Sequence, residues 1–216
     1  MNSDIELRSD NAAGVAPDIM SAVSAANAGS ALAYGADEWT SRLRETVREV
    51  FEHPDAEVFP VISGTAANSL ALAALCPPWG AVLCHETAHI LQSECGATSM
   101  FGGGAVMRGV GGEHYRITAA TLRQAFDATR WGDPHHSQPS VLSLTVPTDH
   151  GTLYTAQQVG ERRPADDIAQ SRLRRPVHRA LIILHFERGL LRIVRHPEQH
   201  GVDVHGHRVR GQCLLG

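Results

Sequence analysis

Apolar positions recur at two different periods along the chain. From Glu38 to Phe51, the residues Leu43, Val47 and Val50 share one stripe of a 3.6-residue helix, and Asp37 stands where its N-cap belongs. A shorter helix is expected from Pro17 to Asn27, with proline near the first turn, where its missing N–H is no loss. Glu57 to Ile62 reads as a strand, and 65 to 75 as a helix that stops before Pro77-Pro78. Ala81 to Cys84 is a short buried strand, and Thr87 to Glu94 is helical until Gly96 stops it. Gly102-Gly103-Gly104 is a turn, and Ala105 to Val110 another short strand. Thr118 caps a helix to about Arg130, and "SVLSLTVP", 140 to 147, is a continuous apolar strand of the kind buried on both faces. Strands alternating with helices at this spacing predict an α/β fold with a mainly parallel sheet.

Beyond about residue 156 the pattern breaks. Residues 157 to 216 carry 11 arginines and 6 histidines, against 8 and 7 in the first 156. Ala180 to Leu184 is strand-like, but the charges that follow fall on both faces of either period. The chain therefore divides at 155/156, and poor order or poor packing is expected past about residue 160.

Composition narrows the classes. At 216 residues the chain suits one domain with a sizeable core. A net charge of -4 gives no reason to expect nucleic acid, and no segment is apolar enough for a membrane. The N-terminus lacks a basic patch followed by an apolar run, which predicts a cytoplasmic protein. Cys76, Cys84, Cys95 and Cys213 lack metal or redox spacing and read as buried free thiols. All 19 basic residues are arginine, so no lysine side chain is available for covalent chemistry.

One stretch raises a chemical question. In "VISGTAANSLALAAL", 61 to 75, Ser63, Gly64 and Thr65 lie where an extended run meets a helix N-terminus. Unpaired N–H groups, the positive end of the dipole, a glycine and two hydroxyls suit a phosphate, although a plain cap and tight turn would use the same residues.

Five ordered stretches bear on that choice: "LRSDNAAGVAP" (7 to 17), "AYGADEWTSRLRETVREVF" (33 to 51), "ISGTAANSLALAAL" (62 to 75), "CHETAHILQSECGA" (84 to 97) and "LSLTVPTDHGTLYT" (142 to 155). Over roughly residues 5 to 155 the chain resembles the low-specificity threonine aldolase and β-eliminating lyase family, pyridoxal-phosphate enzymes of the aspartate-aminotransferase fold type. The resemblance implies an α/β, PLP-transferase-like large domain, incomplete here, with Gly64 and Thr65 on the cofactor phosphate and Asn68 on the supporting turn. It makes His89 the histidine that stacks on the pyridine ring and takes part in catalysis. Ser9 and Asp10 would reach the substrate carboxylate, although Asp10 serves equally as a solvated cap. Tyr34 would enter the site of a partner subunit, implying a homo-oligomer. Glu94 either orients its neighbours or is an exposed helix acid, His85 is mainly structural, and His150 sits where some relatives carry a catalytic histidine but, with a different spacing to Gly151, reads as a loop histidine. The implied reaction cleaves a small β-hydroxy-α-amino acid to glycine and an aldehyde.

The chain departs from that pattern after Thr155. The family's Asp-Gly-Ala-Arg strand, whose aspartate meets the pyridine nitrogen, has no counterpart, and neither does the lysine that binds the cofactor covalently. The expectation is that 1–155 is the N-terminal part of an aldolase-like domain, and that 156–216 is a divergent tail, an out-of-frame or otherwise replaced extension of a truncated gene. Two functional classes follow: a carbon–carbon lyase, or a non-catalytic remnant that dimerises or holds the cofactor without a covalent bond. The tail histidines His196, His200, His205 and His207 are interrupted by Pro197 and Gly201 and are not read as a metal site.

Overall fold

The computed structural model describes residues 14–160, together with the backbone of 182–185 and 191–193. The chain divides into two compact units at Pro60/Val61. The first contains α1 (Pro17–Ala26) and α2 (Glu38–Val50). Asp37 caps α2: one carboxylate oxygen accepts from Thr40 N–H at 2.8 Å and the other from the Thr40 hydroxyl at 2.7 Å. Neither helix has a buried residue.

The second unit is a layered α/β structure. Its described elements are α3 (Gly64–Leu75), β1 (Gly80–His85), α4 (His89–Gln92), α5 (Ala97–Phe101), β2 (Val106–Val110), α6 (Ala119–Ala128), β3 (Gln138–Thr145), α7 (Ala156–Gly160), β4 (Ile182–His185) and β5 (Leu191–Ile193). The sheet order is β2-β1-β3-β4-β5. The first four strands pair in parallel and β5 joins antiparallel, so the expected mainly parallel sheet is observed.

All six residues of β1 are buried, as an inner parallel strand requires. Its side chains alternate between two cores. Val82 and Cys84 pack with Leu72, Leu75 and Val141 on one face, while Leu83 packs with Ile117, Leu122, Phe126 and Leu144 on the other. Each fully buried leucine contributes about 1.5–3 kcal/mol of transfer free energy. Gly80 is needed at the start of β1, because a Cβ there would lie 2.7 Å from Ser140 Oγ and 2.9 Å from Cys76 Sγ.

Several expectations need correction. Glu57 to Ile62 belongs to no strand, and Ile62 lies in a bend. Pro60 removes a ladder donor from the run, and Phe59 and Ile62 remain exposed at 81% and 101%. The segment expected helical from Thr87 to Glu94 contains only the single turn α4. Cys95 is exposed, unlike buried Cys76 and Cys84, while Cys213 lies outside the described residues. Two parts of the Arg/His-rich tail form strands, the first within the run already read as strand-like: Ile182–His185 runs parallel to β3, in register from Leu142↔Ile182 to Thr145↔His185. An uncovered β3 edge would leave a row of unpaired backbone groups, and β4 pairs with it. Beyond α7, the other tail positions, including the four histidines considered for metal, lie outside the described residues.

Candidate functional site

Chain order places a crevice beside β1. From β1 the chain moves to β2 on one side and then to β3 on the other, and open parallel sheets bind ligands outside the carboxyl ends of strands where the winding reverses in this way. The carboxyl end of β1 is His85, followed by α4 with His89. β3 ends at Thr145, followed by Thr148 and Asp149.

Three sequence-predicted residues meet near this end. Ser63 caps α3 with an extended backbone, and its Oγ accepts Ala66 N–H at 3.2 Å, leaving the Gly64 and Thr65 N–H groups at the open end of the helix. One turn on, Asn68 is buried, and its Nδ2 donates to Glu94 Oε1 at 2.7 Å. His89 Nδ1 lies 2.9 Å from the same oxygen. The Glu94 side chain is 0% exposed and that of His89 45%, so a buried acid braces a ring that shows about half its surface to solvent. Glu94 is therefore not the exposed helix acid that one reading allowed. Five residues separate it from His89, which no regular helix places on one face. The helix has already ended before Glu94, at Ser93 with φ -126° and ψ 10°, and the left-handed Cys95 (φ 50°) and Gly96 (φ 73°) follow.

His89 is also fixed through its backbone, whose N–H donates to Asp149 Oδ2 at 3.2 Å. Asp149 was not singled out from the sequence, although its place just beyond a buried parallel strand was a usable signal. Its neighbour His150 stacks on Tyr115, with ring centroids 3.6 Å apart at 18°. Tyr115 meets His85 edge-on at 6.3 Å. The loop presenting Tyr115 has two consecutive left-handed residues, His114 at φ 53° and Tyr115 at φ 61°. Such conformations cost on the order of 1 kcal/mol or more each and persist where neighbours enforce them. Here Thr152 Oγ1 donates to the His114 carbonyl at 2.7 Å, Arg116 donates to the Leu153 carbonyl at 2.9 Å, and Ile117 N–H donates to the Tyr154 hydroxyl at 2.8 Å.

His85 is buried and lines, with Tyr115, Thr148, Asp149 and Tyr154, a cavity of about 10 Å³, room for about one water. Burial holds its imidazole below the ordinary value of 6.5, with Glu86 opposing. Its Nε2 is buried and finds no partner among the described residues. Burial likewise pushes the thiols of Cys76 and Cys84 up to about 11 and 12, so neither is an available nucleophile.

The remaining predicted residues stand apart. Ser9 and Asp10 lie outside the described residues. Tyr34 belongs to the first unit, fully exposed at φ 61°. Among the described residues no group of three or more His, Cys, Asp or Glu is placed to hold a metal, and no helix is long and apolar enough to cross a membrane.

Comparison with known proteins places this arrangement. The chain is 41% identical over 154 residues to a low specificity L-threonine aldolase of Pseudomonas aeruginosa, and 38% identical over 154 residues to one from another Pseudomonas species. Each match covers 71% of this chain and 44% of the relative, so the chain spans about half the length of the curated relatives it matches. A solved threonine aldolase of Leishmania major superposes with a TM-score of 0.70 at 23% identity, covering 82% of this chain and 48% of that one, and shares its fold. The beta-eliminating lyase profile matches residues 6–167, and the chain belongs to the beta-eliminating lyase family.

Proposed function

We propose that the chain supplies the N-terminal half of a threonine-aldolase-type active site, which holds pyridoxal 5′-phosphate and cleaves small β-hydroxy-α-amino acids to glycine and an aldehyde. The observation that carries this reading is the convergence of Asn68 and His89 on one oxygen of buried Glu94.

The residues present fit the phosphate and one ring face of the cofactor. Gly64 and Thr65 offer backbone N–H groups at the positive end of a 12-residue helix, the Thr65 hydroxyl adds a donor, and glycine lets the phosphate approach closely. His89, braced at Nδ1, offers a half-exposed flat ring to stack on the pyridine. The cofactor, when bound, supplies the electron sink for the bond broken at Cα. In this scheme Asn68 and Glu94 hold the phosphate-binding turn and the stacking ring in one register, and Asp149 fixes the backbone beneath that ring. Ser9 and Asp10 are assigned to the substrate carboxylate. Tyr34 is assigned to a second copy of the chain, a role that sedimentation of wild-type protein and Tyr34→Ala would examine.

A second reading has its own observation. With no lysine among its 216 residues, the chain has no side chain to bind the cofactor covalently, and by itself it is a reversible, non-catalytic binder. Aldehyde release from L-threonine and β-phenylserine, with pyridoxal phosphate and with or without protein, separates the readings. Turnover above the protein-free rate and lost in His89→Ala supports a working lyase. Binding that is removed by dialysis and weakened in His89→Ala, without turnover, supports the binder. Absence of any binding overturns both.

A further inference from the structure

His85 and His89 lie four residues apart at the carboxyl end of β1, and their Nδ1 atoms face opposite kinds of partner. Glu94 Oε1, 2.9 Å from His89 Nδ1, already receives the Asn68 amide at 2.7 Å and is an acceptor with no hydrogen to give. His89 must therefore carry its hydrogen on Nδ1, which leaves Nε2 with a lone pair when the ring is neutral. At His85 the relation is reversed. The Thr87 backbone N–H points at Nδ1 from 3.2 Å, and the Thr87 hydroxyl lies 2.8 Å away. A backbone N–H cannot turn into an acceptor, and two hydrogens facing each other would repel, so Nδ1 of His85 keeps its lone pair and Nε2 carries the hydrogen.

We propose that Glu94 and the Thr87 backbone are positioning groups that set His89 and His85 in opposite tautomers, so that the site presents one acceptor nitrogen and one donor nitrogen. His89 Nε2 is the acceptor, on a ring that is half exposed. His85 Nε2–H is the donor, buried without a partner among the described residues and belonging to a residue that lines the small cavity. Asp149 links the two places, since it lines that cavity and also accepts the His89 backbone N–H. A ligand oxygen received by His85 must then be an acceptor, and a proton taken from a ligand must go to His89. The assignment stands on the hydrogen-bond geometry, whichever ligand the site holds.

The test is a two-bond ¹H–¹⁵N correlation spectrum of ¹⁵N-histidine-labelled protein, recorded above the titration of both rings and assigned with His85→Gln and His89→Gln. The expected result is the Nδ1–H pattern for His89 and the Nε2–H pattern for His85. The same tautomer on both rings overturns the proposal, and this wild-type measurement decides it even where a variant fails to fold. In Glu94→Met, His89 should lose its Nδ1–H pattern and take the Nε2–H form while His85 stays unchanged. An unaltered His89 would remove Glu94 from the scheme. Thr87→Val keeps the backbone donor and should leave His85 as Nε2–H, and a switch there would give the role to the hydroxyl and overturn that half.

Discussion

Helices α2 and α3 are close in length, 13 and 12 residues, and each is capped by a side-chain oxygen. Helix α2, in the first unit, is sharply amphipathic yet buries no residue, whereas α3, in the second, is alanine-rich with little polar contrast and buries Asn68, Ser69, Ala71, Leu72 and Leu75. Helix α2 follows from local signals: a cap, a stripe and charges spaced along its surface. Helix α3 depends on packing against the sheet, and it is the helix that carries Asn68 to Glu94. A residue that must meet a partner 26 positions away needs an element whose rotation the core fixes, and a helix held mainly by its own cap does not provide that.

The largest effect that would break this comparison is a core truncation. Leu72 is 2% exposed and Leu43 39%. Leu72→Ala should cost about 2–5 kcal/mol, from lost transfer energy and a residual cavity, while Leu43→Ala should cost less than about 1 kcal/mol. Chemical denaturation of the two variants measures this. Equal losses would mean that α2 is held by packing as firmly as α3.

A buried polar change comes next. Asn68→Ala removes one of the two donors on Glu94 Oε1, whose sister oxygen Oε2 is already buried without a partner among the described residues. Leaving a buried carboxylate short of a donor should cost about 1–3 kcal/mol. Pyridoxal phosphate affinity should fall with it, because the turn behind Gly64 and Thr65 loses its tie to His89. Stability and cofactor titration on one sample distinguish this from a plain packing loss, which would lower the first and spare the second.

The same contrast explains what the sequence made legible. The caps Asp37 and Thr118 and the buried runs of β1 and β3 are local patterns, and they appear within two residues of where the pattern puts them. The 57–62 run failed because an apolar, β-branched stretch alone cannot say whether a partner strand exists, and Pro60 was the warning. Helix α7 went unread although its capping box is explicit: Thr155 N–H donates to Gln158 Oε1 at 3.0 Å and Gln158 N–H to Thr155 Oγ1 at 3.1 Å. Within the site, His89 and Asn68 were reachable from motif resemblance. Asp149, the burial of Glu94 and the placing of Tyr115 were not, because each depends on left-handed turns or on contacts across 26 to 60 positions.

A smaller effect separates the two caps. Ser63→Ala removes the Ala66 acceptor at the open end of α3 and should cost about 1 kcal/mol. It should also weaken inorganic phosphate as a competitor of pyridoxal phosphate, because the frayed turn no longer holds the Gly64 and Thr65 N–H groups together. Asp37→Ala removes the corresponding cap on α2 and should leave that competition unchanged.

The smallest effects are on the pH scale, where each unit has its own acid-sensitive group. His85, in the second unit, has a lowered pKa in the folded state, chiefly through burial, so the unfolded chain binds its proton first. Its contribution to stability is complete above the ordinary value of 6.5, declines as pH falls below that, and levels off once pH passes the folded-state value. Asp37, at the cap of α2, is lowered chiefly by the Thr40 hydroxyl and then by the Thr40 N–H. Its contribution is present above the ordinary 3.8 and is lost as pH falls through the lowered folded value. Stability measured against pH should therefore show two separate limbs. His85→Gln should flatten the upper limb alone, and Asp37→Ala the lower alone. If His85→Gln leaves the limb below 6.5 intact, the ring is not held neutral by its surroundings, and the contrast between a site fixed by packing and a helix fixed by its cap loses its electrostatic half.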